Sequence, residues 1–200
     1  MFNFSLFFVN MKLIVWLGNP WDQYKNTRHN IWFTMLDEFV NSNNLWSFSY
    51  DNKYGWETFT ALLNWEKIAF LKPMEYMNRS GWPVSKLANF YKIEPKDILV
   101  IHDEIDLPVW TVKLKFGWGL AGHNWLRDIA LKLWTQDFWR VRIWVDRPGD
   151  SSTQSVADYV LWTFRKEQIE AIKDKYLDMY QDVAKFWEWL GKYVNLNPEK

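Results

Sequence analysis

Five polar residues stand where strand-like runs of this 200-residue chain break off. Asn19 follows LIVWL, His29 sits in TRHN, Asn78 follows KIAFLKP, Asp103 closes DILVIHD, and Asn124 follows a glycine-containing stretch. Ligands of open α/β sheets bind beyond the carboxyl ends of strands. Residues of these types can do chemistry there: an imidazole titrates near neutrality and can accept and return a proton. A carboxylate can orient such a ring, and a side-chain amide can donate to a developing oxyanion. Each residue alone has an ordinary reading, the His as a satisfied core or surface group and an Asn after Gly as turn chemistry. The combination is more specific than any member. The chain has no Cys, which excludes a thiol nucleophile, a disulfide framework and a thiolate metal site.

The elements that must position these residues alternate between strand-like and helix-like patterns, which points to an α/β domain. MKLIVWL (11–17) is an apolar run of strand length and reads as a central strand. From Thr27 to about Asn41, Ile31, Met35, Leu36 and Phe39 recur at helical spacing, with Thr27 as candidate N-cap. ETFTALL and KIAFLKP (57–63 and 67–73) read as a hairpin. Ser80–Lys92 reads as a helix, Pro83 being tolerable near its first turn. Residues 97–108 form a buried strand ending in acids, 111–116 and 140–145 are further strands, 124–133 is a helix, and 166–190 is one long amphipathic helix. Two hundred residues with 48% hydrophobic content support one core. A single domain over residues 11–195 is expected, without repeat, low-complexity stretch or linker. Residues 1–10 read as an extension ahead of Met11, a misassigned start, or a short extra strand. They lack a basic n-region and are too short to span a membrane, so no membrane association is expected.

Formal net charge is zero, which at face value disfavours nucleic acid, because phosphate contacts need cations. Placement differs from the total. Lys113, Lys115, Arg127, Lys132, Arg140, Arg142 and Arg147 stand against Asp128, Asp137 and Asp146 between residues 110 and 147. That segment reads either as a phosphate-binding face or as a solvated surface of strands and a helix.

The 16 Trp residues are the anomaly, because several sit where tight turns normally select glycine. With those Trp read as Gly, LGNP (17–20), TRHNIWF (27–33), YMNRSG (76–81), HDEIDLP (102–108) and GHNWL (122–126) follow one another as in a known family. The chain resembles the bacterial peptidyl-tRNA hydrolases from Met11 to about Leu190. Trp16, Trp21, Trp32, Trp110, Trp118, Trp125, Trp134 and Trp144 replace glycines usual in that family. A reassigned stop codon, read as Gly in the cell and rendered as Trp in translation, would produce this pattern. Trp187 and Trp189 instead suit an amphipathic helix.

The resemblance implies a twisted mixed β-sheet flanked by helices, and hydrolysis of the ester joining a peptide to the 3′-terminal ribose of tRNA. It assigns His29 as base and Asp103 as the acid that orients it. Asn19 and Asn78 fall near the peptide and scissile ester, and Asn124 near the terminal nucleotide or attacking water. Met77 and Tyr24 line the site or pack in the core, while His102 and His123 support it. Lys113, Lys115 and Arg142 meet tRNA phosphates, notably at the 5′ end and acceptor arm, the partner being peptidyl-tRNA through its acceptor arm and 3′ end. FGWGLAGHN (116–124) is expected to be a mobile loop bringing Asn124 to the substrate, with Trp118 and Trp125, if present, blocking the groove or else stacking on the terminal adenine. The expected protein is a cytoplasmic monomer needing no metal or cofactor. The alternative is a non-catalytic RNA-binding relative, should the Trp residues be physically present.

Overall fold

The computed structural model describes residues 11–30, 33, 37, 49–51, 56–63, 66–75, 79–107, 112–120, 122–145 and 155–171. Its seven strands are β1 (Lys12–Trp16), β2 (Ser49–Asp51), β3 (Trp56–Leu63), β4 (Glu66–Pro73), β5 (Ile98–Glu104), β6 (Val112–Phe116) and β7 (Trp139–Trp144). They form one mixed sheet in the order β2-β3-β4-β1-β5-β7-β6. The apolar, β-branched run of β1 is central because it pairs in parallel with β4 on one side and β5 on the other. β7 extends the parallel set beside β5. Four neighbouring strands therefore run the same way, and the segments that follow them emerge along one edge of the sheet. The hairpin expected from 57–63 and 67–73 pairs antiparallel from Trp56↔Pro73 to Leu63↔Glu66. β6 returns antiparallel along β7.

The period-2 alternation of the central strands divides their side chains between two faces. Leu13, Val15, Leu17, Ile98 and Val100 are buried in one cluster with Val84, Leu87, Ala88, Leu126 and Ile129. The last five come from helices α1 (Gly81–Tyr91) and α2 (Asn124–Leu133). Pro83 lies in the first turn of α1, as its missing N–H requires. The two helices meet at Gly81, where an added Cβ would lie 2.3 Å from the Asp128 carbonyl oxygen. Only a residue without a side chain allows that approach, and the Gly81 N–H donates to Asp128 Oδ2 at 2.7 Å. Ile14, Trp16, Ile68, Phe70, Leu99 and Ile101 are also buried, with the Trp16 and Phe70 rings 6.2 Å apart.

Two expectations change. Thr27 does not cap a helix: its hydroxyl donates to the Tyr24 carbonyl at 2.8 Å, its backbone bridges to Thr163, and a 3₁₀ turn over Arg28–Asn30 follows. Most of the helix expected to residue 41 lies outside the described residues, as do residues 1–10 and the tail beyond residue 171, whose first turn over 166–171 is helical. A short helix α3 (Val156–Val160), capped by Ser155, carries no strong apolar period and was not anticipated. Among the described residues, no helix is long and apolar enough to cross a membrane.

Candidate active site

The tight contact between β1 and β5 builds the site. Leu17 N–H donates to the Ile101 carbonyl at 3.0 Å, so Asn19 and Asp103 leave adjacent strands side by side. The turn after β1 is then locked to the His29 turn by Asn30. Its Oδ1 accepts from Asn19 N–H at 2.8 Å, and its Nδ2 donates to the Asn19 carbonyl at 2.5 Å. Both ends of the Asn30 amide are thus spent on the Asn19 backbone. Asn30 was not singled out from sequence, although it sits in the same TRHN motif as His29.

Arg28 fixes the His29 turn from the other side. Its N–H donates to the Trp162 carbonyl at 3.0 Å, and its guanidinium lies between the rings of Tyr159 and Phe164, 4.4 and 4.8 Å from their centroids. His29 is consequently buried, and its Nδ1 stands 2.8 Å from Asp103 Oδ2. Burial alone would raise the Asp103 carboxyl, but the charge and hydrogen bond of His29, then His123 and His102, hold it below the usual carboxylate range. Asp103 is therefore ionised at neutral pH and can only accept, so Nδ1 carries the proton and the basic lone pair sits on Nε2. This is the arrangement a proton-abstracting imidazole needs.

Around this pair stand three further groups. His102 Nδ1 donates to the Asp103 carbonyl at 2.6 Å. Burial, then the charge of His123, lowers His102 from 6.5 to about 3, so it is neutral at pH 7. Its ring lies 4.9 Å from that of His123, which immediately precedes Asn124 at the exposed start of α2. Trp125 is buried against both imidazoles that matter, 4.2 Å from the His29 ring and 5.4 Å from that of His123.

The basic segment resolves into two populations. Lys113 is exposed and Lys115 half-buried on β6, whereas Arg140 is buried. Arg140 thus drops out of the expected phosphate-binding face. Arg142 does not stand alone: its Nε and Nη2 donate to Glu104 Oε2 at 3.0 and 2.9 Å. Burial would raise Glu104, but the nearby His123 ring, the Asp106 N–H and the bonded, charged Arg142 bring it down to about 2. Tyr24 is half-buried beside the Asn19 turn. Met77 and Asn78 lie outside the described residues. Sequence reasoning missed Glu104 as a functional support, although its place beside Asp103 in HDE was the available signal.

Residues 13–196 match the family model described as peptidyl-tRNA hydrolase. Peptidyl-tRNA hydrolase of Neisseria meningitidis serogroup C is 41% identical over 193 residues, covering 92% of this chain and 97% of that protein. The chain belongs to the peptidyl-tRNA hydrolase family. The namesake from Neisseria gonorrhoeae is 45% identical with the same coverage. The crystal structure of peptidyl-tRNA hydrolase from Acinetobacter baumannii superposes with a TM-score of 0.74 at 32% identity, covering 94% of each chain. A family member crystallised with N-propanol superposes with the same TM-score at 31% identity, over 96% of this chain and 98% of that one.

In this family member, the neutral His102 beside the dyad makes folding pH-dependent. Its folded pKa lies below that of the unfolded chain, so stability is complete above about 6.5 and is lost as pH falls toward about 3. Glu104 acts lower, its stabilisation being lost as pH falls from 4.5 toward about 2. Denaturant unfolding between pH 7 and 4.5 should show a shallower loss of stability for His102→Asn than for the unmodified chain. Equal slopes would contradict the buried neutral imidazole.

Proposed function

We propose that the chain hydrolyses the ester between the peptide and the terminal ribose of peptidyl-tRNA, with His29 as general base and Asp103 as its orienting partner. The supporting observation is the buried 2.8 Å contact between His29 Nδ1 and Asp103 Oδ2 beside the clamped Asn19 turn. Water bound at Nε2 gives up a proton as it attacks the ester carbonyl. The imidazolium, stabilised by Asp103, then protonates the departing ribose oxygen as the tetrahedral intermediate collapses. Asn19 and Asn78 donate toward the oxyanion and the peptide, and Asn124 toward the terminal nucleotide or the water. Tyr24 and Met77 line the groove.

Lys113, Lys115 and Arg142 bind tRNA phosphates at the 5′ end and acceptor arm. Such contacts position a tRNA without reading its sequence. Arg142 approaches the phosphate from its ion pair with Glu104, and Lys115 from a 3.2 Å bond to the Gly119 carbonyl. The enzyme works as a cytoplasmic monomer, and water attack by this route asks for no metal or cofactor. The non-catalytic RNA-binding alternative is not favoured, because the His29–Asp103 pair is intact and the relatives are named as hydrolases.

The same reading extends to the Trp residues: at family glycine positions the expressed polymer carries Gly. Trp134 supports this, since it caps α2 at φ +58° with its ring 90% exposed. That left-handed conformation costs L-residues about 1 kcal/mol or more and is the usual place for glycine. Trp118 stands 82% exposed between Gly117 and Gly119, both at positive φ. Trp125 presses on the base itself.

Two measurements test these statements. In binding and turnover assays with peptidyl-tRNA, His29→Ala should abolish hydrolysis and leave binding intact, whereas Lys115→Ala should weaken binding and flatten its salt dependence. Turnover by the His29 variant would remove it as base, and an unchanged salt slope would move the phosphate contact elsewhere. Peptide mass spectrometry of protein from the source cells should find Gly at positions 118, 125 and 134; Trp there would refute the codon reading.

A further inference from the structure

Arg140 is 1% exposed at the second residue of β7, and among the described residues it has no carboxylate partner. Its guanidinium is instead satisfied by three successive carbonyls of the loop leaving β6. Nη1 donates to Gly119 O at 3.0 Å, and Nη2 donates to Gly117 O and, at 3.4 Å, to Trp118 O. Nε makes no hydrogen bond. Gly117 and Gly119 have φ of +71° and +87°, backbone states that turn neighbouring carbonyls inward at low cost only for glycine. A buried charge with these partners has a strong stake in them, because losing a carbonyl leaves the charge unsolvated. A planar fork can hold several carbonyls at fixed angles, as a single ammonium cannot.

The restrained loop is the one that delivers the site. After residue 120 it reaches His123, whose N–H donates to the Leu120 carbonyl at 3.0 Å and whose carbonyl starts α2 by accepting from Arg127 at 3.1 Å. His123 faces His102 and Glu104, and Asn124 follows it. Within the segment expected to be mobile, Gly117, Trp118 and Gly119 are latched from below by Arg140.

We propose that Arg140 is a positioning residue for the hydrolysis reaction: its buried guanidinium sets the height of the 117–119 loop and so the placement of His123, packed on His102 and Trp125 beside the His29–Asp103 pair, and of Asn124 that follows it. This rests on the hydrolase reading given above. Arg140 touches no substrate; it acts through the loop. Lys115 shares the Gly119 carbonyl from the solvent side, so a phosphate drawing Lys115 away leaves the loop held by Arg140 alone.

The test compares Arg140→Lys and Arg140→Met with the unmodified chain, using peptidyl-tRNA turnover, hydrogen exchange by mass spectrometry and denaturant unfolding. Misplacing a group by about 1 Å can cost roughly 10²-fold in rate, so kcat should fall roughly 10- to 100-fold in Arg140→Lys while KM changes less than about threefold. Exchange should quicken in the peptides spanning 117–124 and stay unchanged in those of β1 and β5, with Arg140→Met more severe than Arg140→Lys. An Arg140→Lys variant with unchanged kcat, or with exchange raised uniformly through the sheet, would overturn the positioning role. If Arg140→Met fails to fold, Arg140→Lys alone decides by the same two readouts. Should the unmodified chain not hydrolyse peptidyl-tRNA, the hydrolase reading falls and this role with it; hydrolysis by the unmodified chain with an unaffected Arg140→Lys overturns this role alone.

Discussion

The hydrogen bond between His29 and Asp103 joins residues 74 positions apart at 2.8 Å, and the rest of the structure is arranged to make it. An imidazole and a carboxylate buried together are stable only if each satisfies the other, since an unpaired charge there would be strongly penalised. Their meeting requires β1 and β5 to be neighbours in register, which their apolar, β-branched sequences secure by filling the centre of a parallel sheet. It also requires the turn after β1 to hold its shape, which the Asn30 side chain enforces through both backbone groups of Asn19. Arg28, held between two aromatic rings, keeps the intervening turn from drifting.

A second layer of buried charge surrounds the dyad and follows the same physics. Glu104 is buried beside Asp103 and neutralised by Arg142, with His123 Nε2 3.9 Å away. Arg140 is buried one pleat back on the same strand as Arg142 and takes its partners from loop carbonyls. Two arginines on one strand thus have different tasks, one presented near the surface and paired with an acid, the other turned inward. Charge placed so close to the His29–Asp103 pair raises the local field without adding net charge to the chain. A net charge of zero therefore hides an uneven placement: Lys113, Lys115 and Arg142 stand on neighbouring strands β6 and β7, with Glu104 paired to Arg142.

Strand runs and the hairpin were readable because hydrophobic period and turn residues are local signals; α2 began and ended at Asn124 and Leu133 as expected. The start of the helix after His29 was not, because the Thr27 hydroxyl found a carbonyl three residues back and its backbone found Thr163, contacts invisible to a local pattern. His29, Asp103 and Asn19 could be nominated from motif and strand end, and the fold brings them together. Asn30 and Glu104 sit in the same motifs as His29 and Asp103, but their roles, like that of Arg140, depend on which loop or side chain stands opposite them in space. Arg140 in particular looks like every other cation of RVRIW until β6 and its loop close over it. The tryptophans show the converse: Trp16 can be absorbed in a core, whereas Trp134 at a left-handed helix cap conflicts with a local backbone rule that no distant packing repairs.

The central claim is that the Asp103 carboxylate makes His29 a base by holding its proton on Nδ1. The most direct measurement is the single-turnover rate of peptidyl-tRNA hydrolysis by Asp103→Asn at pH 7, with folding checked by its unfolding transition. An amide in that place can donate to Nδ1 and stabilise the wrong tautomer, so the rate should fall by roughly 10²- to 10⁴-fold while tRNA binding persists. A folded Asp103→Asn protein that hydrolyses its substrate at the unmodified rate would contradict the account.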